Sequence, residues 1–254
     1  MSERWSIRTL GTSHGDPTPT RFNVSTLVIA PSGQGVLIDA GTPALALMMR
    51  AGFNPLALRH VIVTHLHEDH LGGLPDIVKF QAKRLPKGAD THVWLPERGA
   101  DATIRAFLAL AHRPIPEAVV PFHDYAAGTV LEWEGARLAA IPTDHAFNER
   151  GTFPSYALTL DLPNGRRILF TGDLARDFHD FPAGTRADLA FCELTHYDLA
   201  KAIPTLARET FRQLVFTHIG NEWQTPDAPA RFADLANRLP YPARIADDGD
   251  AFKI

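Results

Sequence analysis

Apolar and polar positions alternate in short runs from the first residues onward, and clusters of turn-forming residues separate the runs. "WSIRTLG", "VSTLVIA" and "GVLIDAG" read as three early strands, the last two joined through the hairpin signal "PSGQ". "TPALALMMRAG" follows with helical spacing and Gly52 as its stop. "HVIVTH" is an unbroken apolar run suited to a buried strand, and "LPDIVKFQAKR" is a helix after it. Strand-like runs recur at "THVWL", "TVLEWEGARLAAIP", "SYALTLDL", "RRILFTGD", "ADLAFCE" and "QLVFTH". Helical patterns interleave at "ERGADATIRAFLALA", "AIPTLARETF" and "APARFADLANRL", and the tail "ARIADDGDAFKI" reads as a closing strand pair or edge strand around Asp248-Gly249. Strands mixed with helices in both halves predict an α/β (α+β) chain of two packed sheets with helices on their outer faces. No repeat, linker or break in composition divides the chain, so residues 1–254 read as a single domain.

Composition narrows the function classes. The 254 residues are 45% hydrophobic and 21% charged, the balance of an ordinary globular protein. One cysteine, Cys192, permits no internal disulfide, and no apolar stretch reaches the roughly 18 residues of a membrane span. The expected location is therefore cytoplasmic, without membrane attachment. A net charge of −4 gives no global basic field to recruit nucleic acid. The densest basic stretch, with Lys79, Lys83, Arg84 and Lys87, reads as a solvated helix face ending in a loop.

The chemistry concentrates in "VIVTHLHEDHLGG", residues 61–73. His65, His67, Asp69 and His70 follow an apolar strand at once, so a loop at the sheet edge receives four coordinating side chains. Imidazole and carboxylate together suit zinc, iron or manganese. One loop cannot fill a metal site, and three later apolar runs each end in a further ligand: "LAAIPTDH" at His145, "RRILFTGD" at Asp173 and "QLVFTH" at His218. His65, His67 and His145 can hold one ion, Asp69, His70 and His218 a second, and Asp173 can bridge them. Two such ions share a water and clamp the entering and leaving oxygens of a displacement.

These motifs in this order, "THLHEDH", "DH" at 144–145, "TGD" at 171–173 and "FTH" at 216–218, resemble the metallo-β-lactamase superfamily of metal-dependent hydrolases. The resemblance implies a four-layer αββα sandwich of two mixed sheets, and two divalent ions, Zn²⁺ ahead of Mn²⁺ or Fe²⁺. It also implies that Asp39 supports the metal loop from behind and that the chain forms a homodimer. The opening "LGTSHGDPTPTRFNVSTLVIA" and the segment "GLPDIVKF" resemble the ribonuclease Z and phosphodiesterase branch. In ribonuclease Z a His-Glu-Ala-Thr segment orients a proton donor; here "CELTH" keeps Glu193 and Thr195, with Cys192 in the histidine's place and His196 three residues beyond Glu193.

The expected activity is hydrolysis of a small phosphodiester by a hydroxide shared between two metal ions, with Asp69 orienting the nucleophile and His196, beside Glu193, as proton donor. The alternatives are a lactone or thioester hydrolase on the same centre, a ribonuclease Z-type endonuclease acting on nucleic acid, and a metal-binding scaffold or sensor without turnover. His14 in the opening loop is a candidate substrate contact. Cys192 reads as a small buried hydrophobe. His60, His92, His112, His123 and His179 show no partner pattern in the sequence.

Overall fold

Each of the three early apolar runs forms a strand in the computed structural model, which describes residues 4–85, 90–116, 118–145, 147–148 and 151–254. Lys87 of the basic stretch lies outside the described residues. The chain divides into two compact units, Met1–Tyr125 with Asp247–Ile254, and Ala126–Ala246.

In the first unit the strands are β1 (Ser6–Gly11), β2 (Ser25–Ile29), β3 (Gly35–Ile38), β4 (Leu58–Ile62), β5 (His92–Leu95) and β6 (Phe122–Asp124). With the C-terminal strand Ala251–Lys253 against β1, they make a seven-stranded sheet that runs antiparallel from that strand to β3 and parallel from β3 to β6. Helices α1 (Ala44–Arg50), α2 (Glu68–Leu71), α3 (Leu74–Arg84) and α4 (Asp101–Leu110) lie between the strands in sequence. In α3 the buried residues Leu74, Ile77, Val78 and Gln81 recur at helical spacing, one stripe facing the sheet. That stripe packs with Leu47 and Met48 of α1, Ile104 and Leu108 of α4, and Leu27, Leu37, Val61 and Val93 of the strands.

The second unit holds β7 (Gly128–Trp133), β8 (Ala136–Pro142), β9 (Phe147–Asn148), β10 (Gly151–Thr152), β11 (Tyr156–Asp161), β12 (Arg167–Phe170), β13 (Ala187–Leu194), β14 (Phe211–Ile219) and β15 (Ala243–Ile245). Seven of them form a mixed sheet in the order β15-β14-β13-β12-β11-β8-β7, and β9 and β10 pair separately. Helices α5 (Leu199–Leu206) and α6 (Ala228–Ala236) cover a core that includes Phe216, Leu214, Ile203 and Phe232. Two mixed sheets with helices agree with the expected α/β class. Among the described residues no helix is long and apolar enough to cross a membrane.

Three readings of the pattern change. "TVLEWEGARLAAIP" is a hairpin, not one strand, because Glu134 and Gly135 both take left-handed backbone (φ 52° and 74°), as the tightest hairpin turn demands. The helix expected over "AIPTLARETF" starts earlier, at the cap where the Asp198 carboxylate accepts from the Ala200 N–H, and ends at Leu206 before Phe211 opens β14. The tail takes the edge-strand form and not the closing pair: "ARI" extends the second unit's sheet beside β14, and "AFK" extends the first unit's sheet beside β1.

Candidate metal centre

In the first unit the parallel pair β3–β4 ends with Asp39 beside Thr64. Asp39 has left-handed backbone (φ 58°), a costly state for a residue with a side chain, and its own N–H is held by the Ile62 carbonyl at 2.8 Å. The turn aims the buried carboxylate at the metal loop. It accepts from the Thr64 N–H at 2.7 Å, from the Thr64 hydroxyl at 3.0 Å and from His70 Nδ1 at 2.9 Å. The Thr64 hydroxyl, having donated to Asp39, can only accept from His65 Nδ1 at 3.2 Å. Both Nδ1 atoms therefore carry their protons, and both Nε2 atoms present lone pairs. His65 Nε2 lies 2.9 Å from His67 Nδ1, and His70 Nε2 lies 3.5 Å from Asp69 Oδ2. His65, Asp69 and His70 are buried; His67 and Glu68, at the start of α2, are exposed. The loop stays close to the sheet because Gly73 has no side chain: a Cβ there would stand 2.8 Å from the Gly41 carbonyl oxygen and 2.9 Å from that of Ala40.

The second unit repeats the device. His145 Nδ1 donates to the Leu174 carbonyl at 3.1 Å, and Nε2 faces Asp173 Oδ2 at 3.6 Å. Burial, the largest influence on His145, holds its pKa below the ordinary histidine value against the pull of Asp173, which keeps the ring neutral. His218 is the extra residue where the β13–β14 register shifts, with left-handed backbone (φ 51°). The Thr195 hydroxyl donates to the His218 carbonyl and so accepts from His218 Nδ1 at 3.2 Å, leaving Nε2 at 3.4 Å from the same Asp173 Oδ2. Ligands each 2.0–2.1 Å from one tetrahedral ion stand about 3.4 Å apart. The Asp173 oxygen stands at about that spacing from each of two lone-pair nitrogens, so either nitrogen could share a divalent cation with it.

Glu193 and His196 sit beside this set. The buried Glu193 carboxylate accepts from four N–H groups: Leu174 N at 2.9 Å, Thr195 N at 2.8 Å, His196 N at 3.0 Å and His196 Nδ1 at 3.0 Å. The His196 ring stacks 4.3 Å from that of His145 and 5.3 Å from that of His218. Asp173, His196 and His218 bring ligand atoms within 4.8 Å of one another, but His196 Nδ1 is committed to Glu193.

With this geometry, the sequence profile of the family described as Anti-Pycsar protein Apyc1 matches residues 5–238. The chain belongs to that family. It is also 34% identical over 180 residues to a ribonuclease Z from Mycobacterium marinum; the match covers 66% of this chain and 62% of the relative, so it spans less than two thirds of that relative's length. Among solved structures, the metallo-β-lactamase fold protein YhfI from Bacillus subtilis is 16% identical with a TM-score of 0.78, covering 99% of this chain and 100% of that one. A diphosphatase from the PhnP family is 19% identical with a TM-score of 0.74, covering 99% and 98%. This Apyc1-family chain therefore has the metallo-β-lactamase fold, and its His/Asp clusters are of a kind that holds divalent metal.

The remaining candidates fall outside these clusters. His14 lies in the loop before β2, where its carbonyl and that of Gly15 accept from Asn23. Cys192 is fully buried, donates to the Tyr197 hydroxyl at 3.2 Å, and burial pushes its thiol up to about 12. Three histidines without a pattern in the sequence come together in the first unit. His92 Nδ1 and His123 Nε2 are 2.8 Å apart, His92 Nε2 meets Asp90 at 2.8 Å, and Trp94 Nε1 donates to His60 Nδ1 at 3.2 Å. His60 and His92 are register partners on adjacent parallel strands, and His123 on the next strand stands opposite Trp94, relations that local spacing does not carry. His179 bridges Asp144 and Asp177 at the surface of the second unit.

Proposed function

We propose that this chain is a dinuclear metal-dependent hydrolase acting on a small phosphodiester. One observation carries the reading: a single oxygen of Asp173 faces lone-pair nitrogens of both His145 and His218, at 3.6 and 3.4 Å, as a bridging carboxylate would. In this reading His65, His67 and His145 hold one ion, Asp69, His70 and His218 the other, and Asp173 bridges. The ligand set of nitrogen and carboxylate oxygen suits Zn²⁺ first, and Mn²⁺ or Fe²⁺ also. Such an ion pair supplies an activated water and positive charge for the phosphoryl oxygens.

The protein's own residues do the rest. Asp69 supplies a carboxylate oxygen to receive a hydrogen bond from the attacking water and fix its direction. His196, with Nδ1–H fixed on Glu193, has Nε2 to carry a proton to the leaving alkoxide; such a general acid contributes typically 10²–10⁴-fold. Glu193, held by four donors, positions His196. A solved structure that shares this fold is named as a PhnP-family diphosphatase, which agrees with a substrate that carries phosphate.

A second reading, ribonuclease Z-type cleavage of RNA, is favoured by the Mycobacterium marinum relative. Purified protein with its metal content measured should be given bis-p-nitrophenyl phosphate, a lactone, a thioester and a transfer-RNA precursor. Turnover of the diester that Asp173→Ala abolishes supports the proposal. Cleavage of the precursor alone makes it a ribonuclease, preference for the lactone or thioester moves it to carboxylic esters, and stoichiometric metal without turnover makes it a binding scaffold.

A further inference from the structure

A cavity of about 470 Å³ opens in the first unit between β1, the end of α1 and the loop before β2, and none of the candidate metal ligands lines it. Its apolar walls include Leu10, Phe22 and Leu47. Arg8 and Arg50 also line it. Arg8 is half-buried and shares a strand face with Leu10, two residues on, which packs into the core under α1. An arginine on that face is costly unless something answers its charge. Neither Arg8 nor Arg50 makes an ion pair or side-chain hydrogen bond with any described residue.

The one carboxylate in the lining is occupied elsewhere. Asp248 accepts from the Thr12 hydroxyl on one oxygen at 2.6 Å and from the Phe22 N–H on the other at 2.7 Å. Burial also raises its pKa, which weakens its claim on either guanidinium. Nearby Asp247 is answered by Arg21 at 2.7 Å. The weak negative end of α1 is offset by Arg50 in its last turn. Two guanidiniums thus remain to face the cavity with their charge unspent.

We infer that this cavity is a binding site for a small phosphomonoester with an apolar or aromatic body, its phosphate held between Arg8 and Arg50 and its body against Leu10, Phe22 and Leu47. Guanidinium forks match phosphate oxygens in pairs, and a monoester near neutral pH carries close to the two negative charges that two arginines answer. The volume suits a ligand of that size. A phosphodiester, with one charge, leaves one arginine unanswered and binds more weakly. The inference concerns binding alone and does not rest on hydrolysis.

Calorimetric titration of phenyl phosphate into the full-length metal-loaded protein tests it, with methyl phenyl phosphate as the singly charged control. Arg8→Gln and Arg50→Gln should each weaken phenyl phosphate binding at one site at least tenfold, and the double variant should lose that site. Melting temperature and diester turnover should stay as in the wild type. Comparing wild type with the double variant isolates this cavity from phosphate bound anywhere else. Arg50 is exposed at a helix end, so Arg50→Gln folds and carries the test even if Arg8→Gln does not. Identical isotherms for wild type and Arg50→Gln overturn the inference, as does equal affinity for the singly charged ester.

Discussion

Asp39 offers a test that separates orientation of a ligand from bulk stability. Its Oδ1 faces the Thr64 N–H at 2.7 Å, and its Oδ2 faces His70 Nδ1 at 2.9 Å. In Asp39→Asn the amide oxygen must stay on Thr64, because an NH₂ cannot approach an N–H. The NH₂ then falls on Oδ2's place and donates to His70 Nδ1. His70 can accept there only as the other tautomer, with its proton moved to Nε2, the nitrogen expected to hold metal. Losing hydrogen bonds to a charged acceptor costs about 1.5–3 kcal/mol, or roughly 3–12 °C in melting temperature for a chain of this size. Loss of an orienting partner typically weakens metal binding 10- to 100-fold.

The assay is competition for Zn²⁺ against a chromophoric chelator, run beside thermal melts with and without metal. Asp39→Asn should lose affinity by that factor while still folding, and the metal-induced rise in melting temperature should shrink with it. Thr64→Val removes the acceptor from His65 but leaves Asp39 on His70, so its affinity loss should be separate and smaller. If Asp39→Asn binds zinc within twofold of wild type despite a lower melting temperature, the tautomer argument is wrong and Asp39 serves the loop's fold alone.

Three further outcomes follow from the same hydrogen-bond logic. Glu193→Gln replaces one of two accepting oxygens with a donor facing N–H groups; turnover should fall with a displaced acidic limb in its pH profile, whereas a purely structural role would lower stability and leave the profile unmoved. His179 is exposed, and its hydrogen bonds to Asp177 and Asp144 raise its pKa to about 9 from 6.5. Its contribution to stability should be whole below pH 6.5 and vanish as pH rises through 9; an NMR titration midpoint near 6.5 rejects the bridge, and salt should lower the midpoint by screening. Cys192, with a thiol at about 12 and no exposure, should react with Ellman's reagent only in denaturant; labelling of the native protein at a rate independent of unfolding contradicts its burial.

How much of this was legible depended on how rare the required residue is. Few residue types can hold a metal, so the candidate ligands His65, His67, Asp69, His70, His145, Asp173 and His218 stood out at the ends of apolar runs. The groups that set their tautomers did not. Asp39 and Thr195 came from resemblance, the latter without its role as acceptor, while Thr64 and the Leu174 carbonyl serve as acceptors that almost any loop can offer. Strands with a buried alternation were readable, but the tail's two short strands were not assignable, because joining β1 or β14 depends on where distant edges lie. The His60, His92 and His123 cluster fails for the same reason: its members are 31 and 32 residues apart and meet only through parallel register. Arg8 shows the reverse case. Its place was visible as a cation two residues before Leu10 in a strand pattern, yet nothing local marked it as unanswered. A residue type that chemistry cannot replace is read from the chain; a partner's absence is read only from the fold.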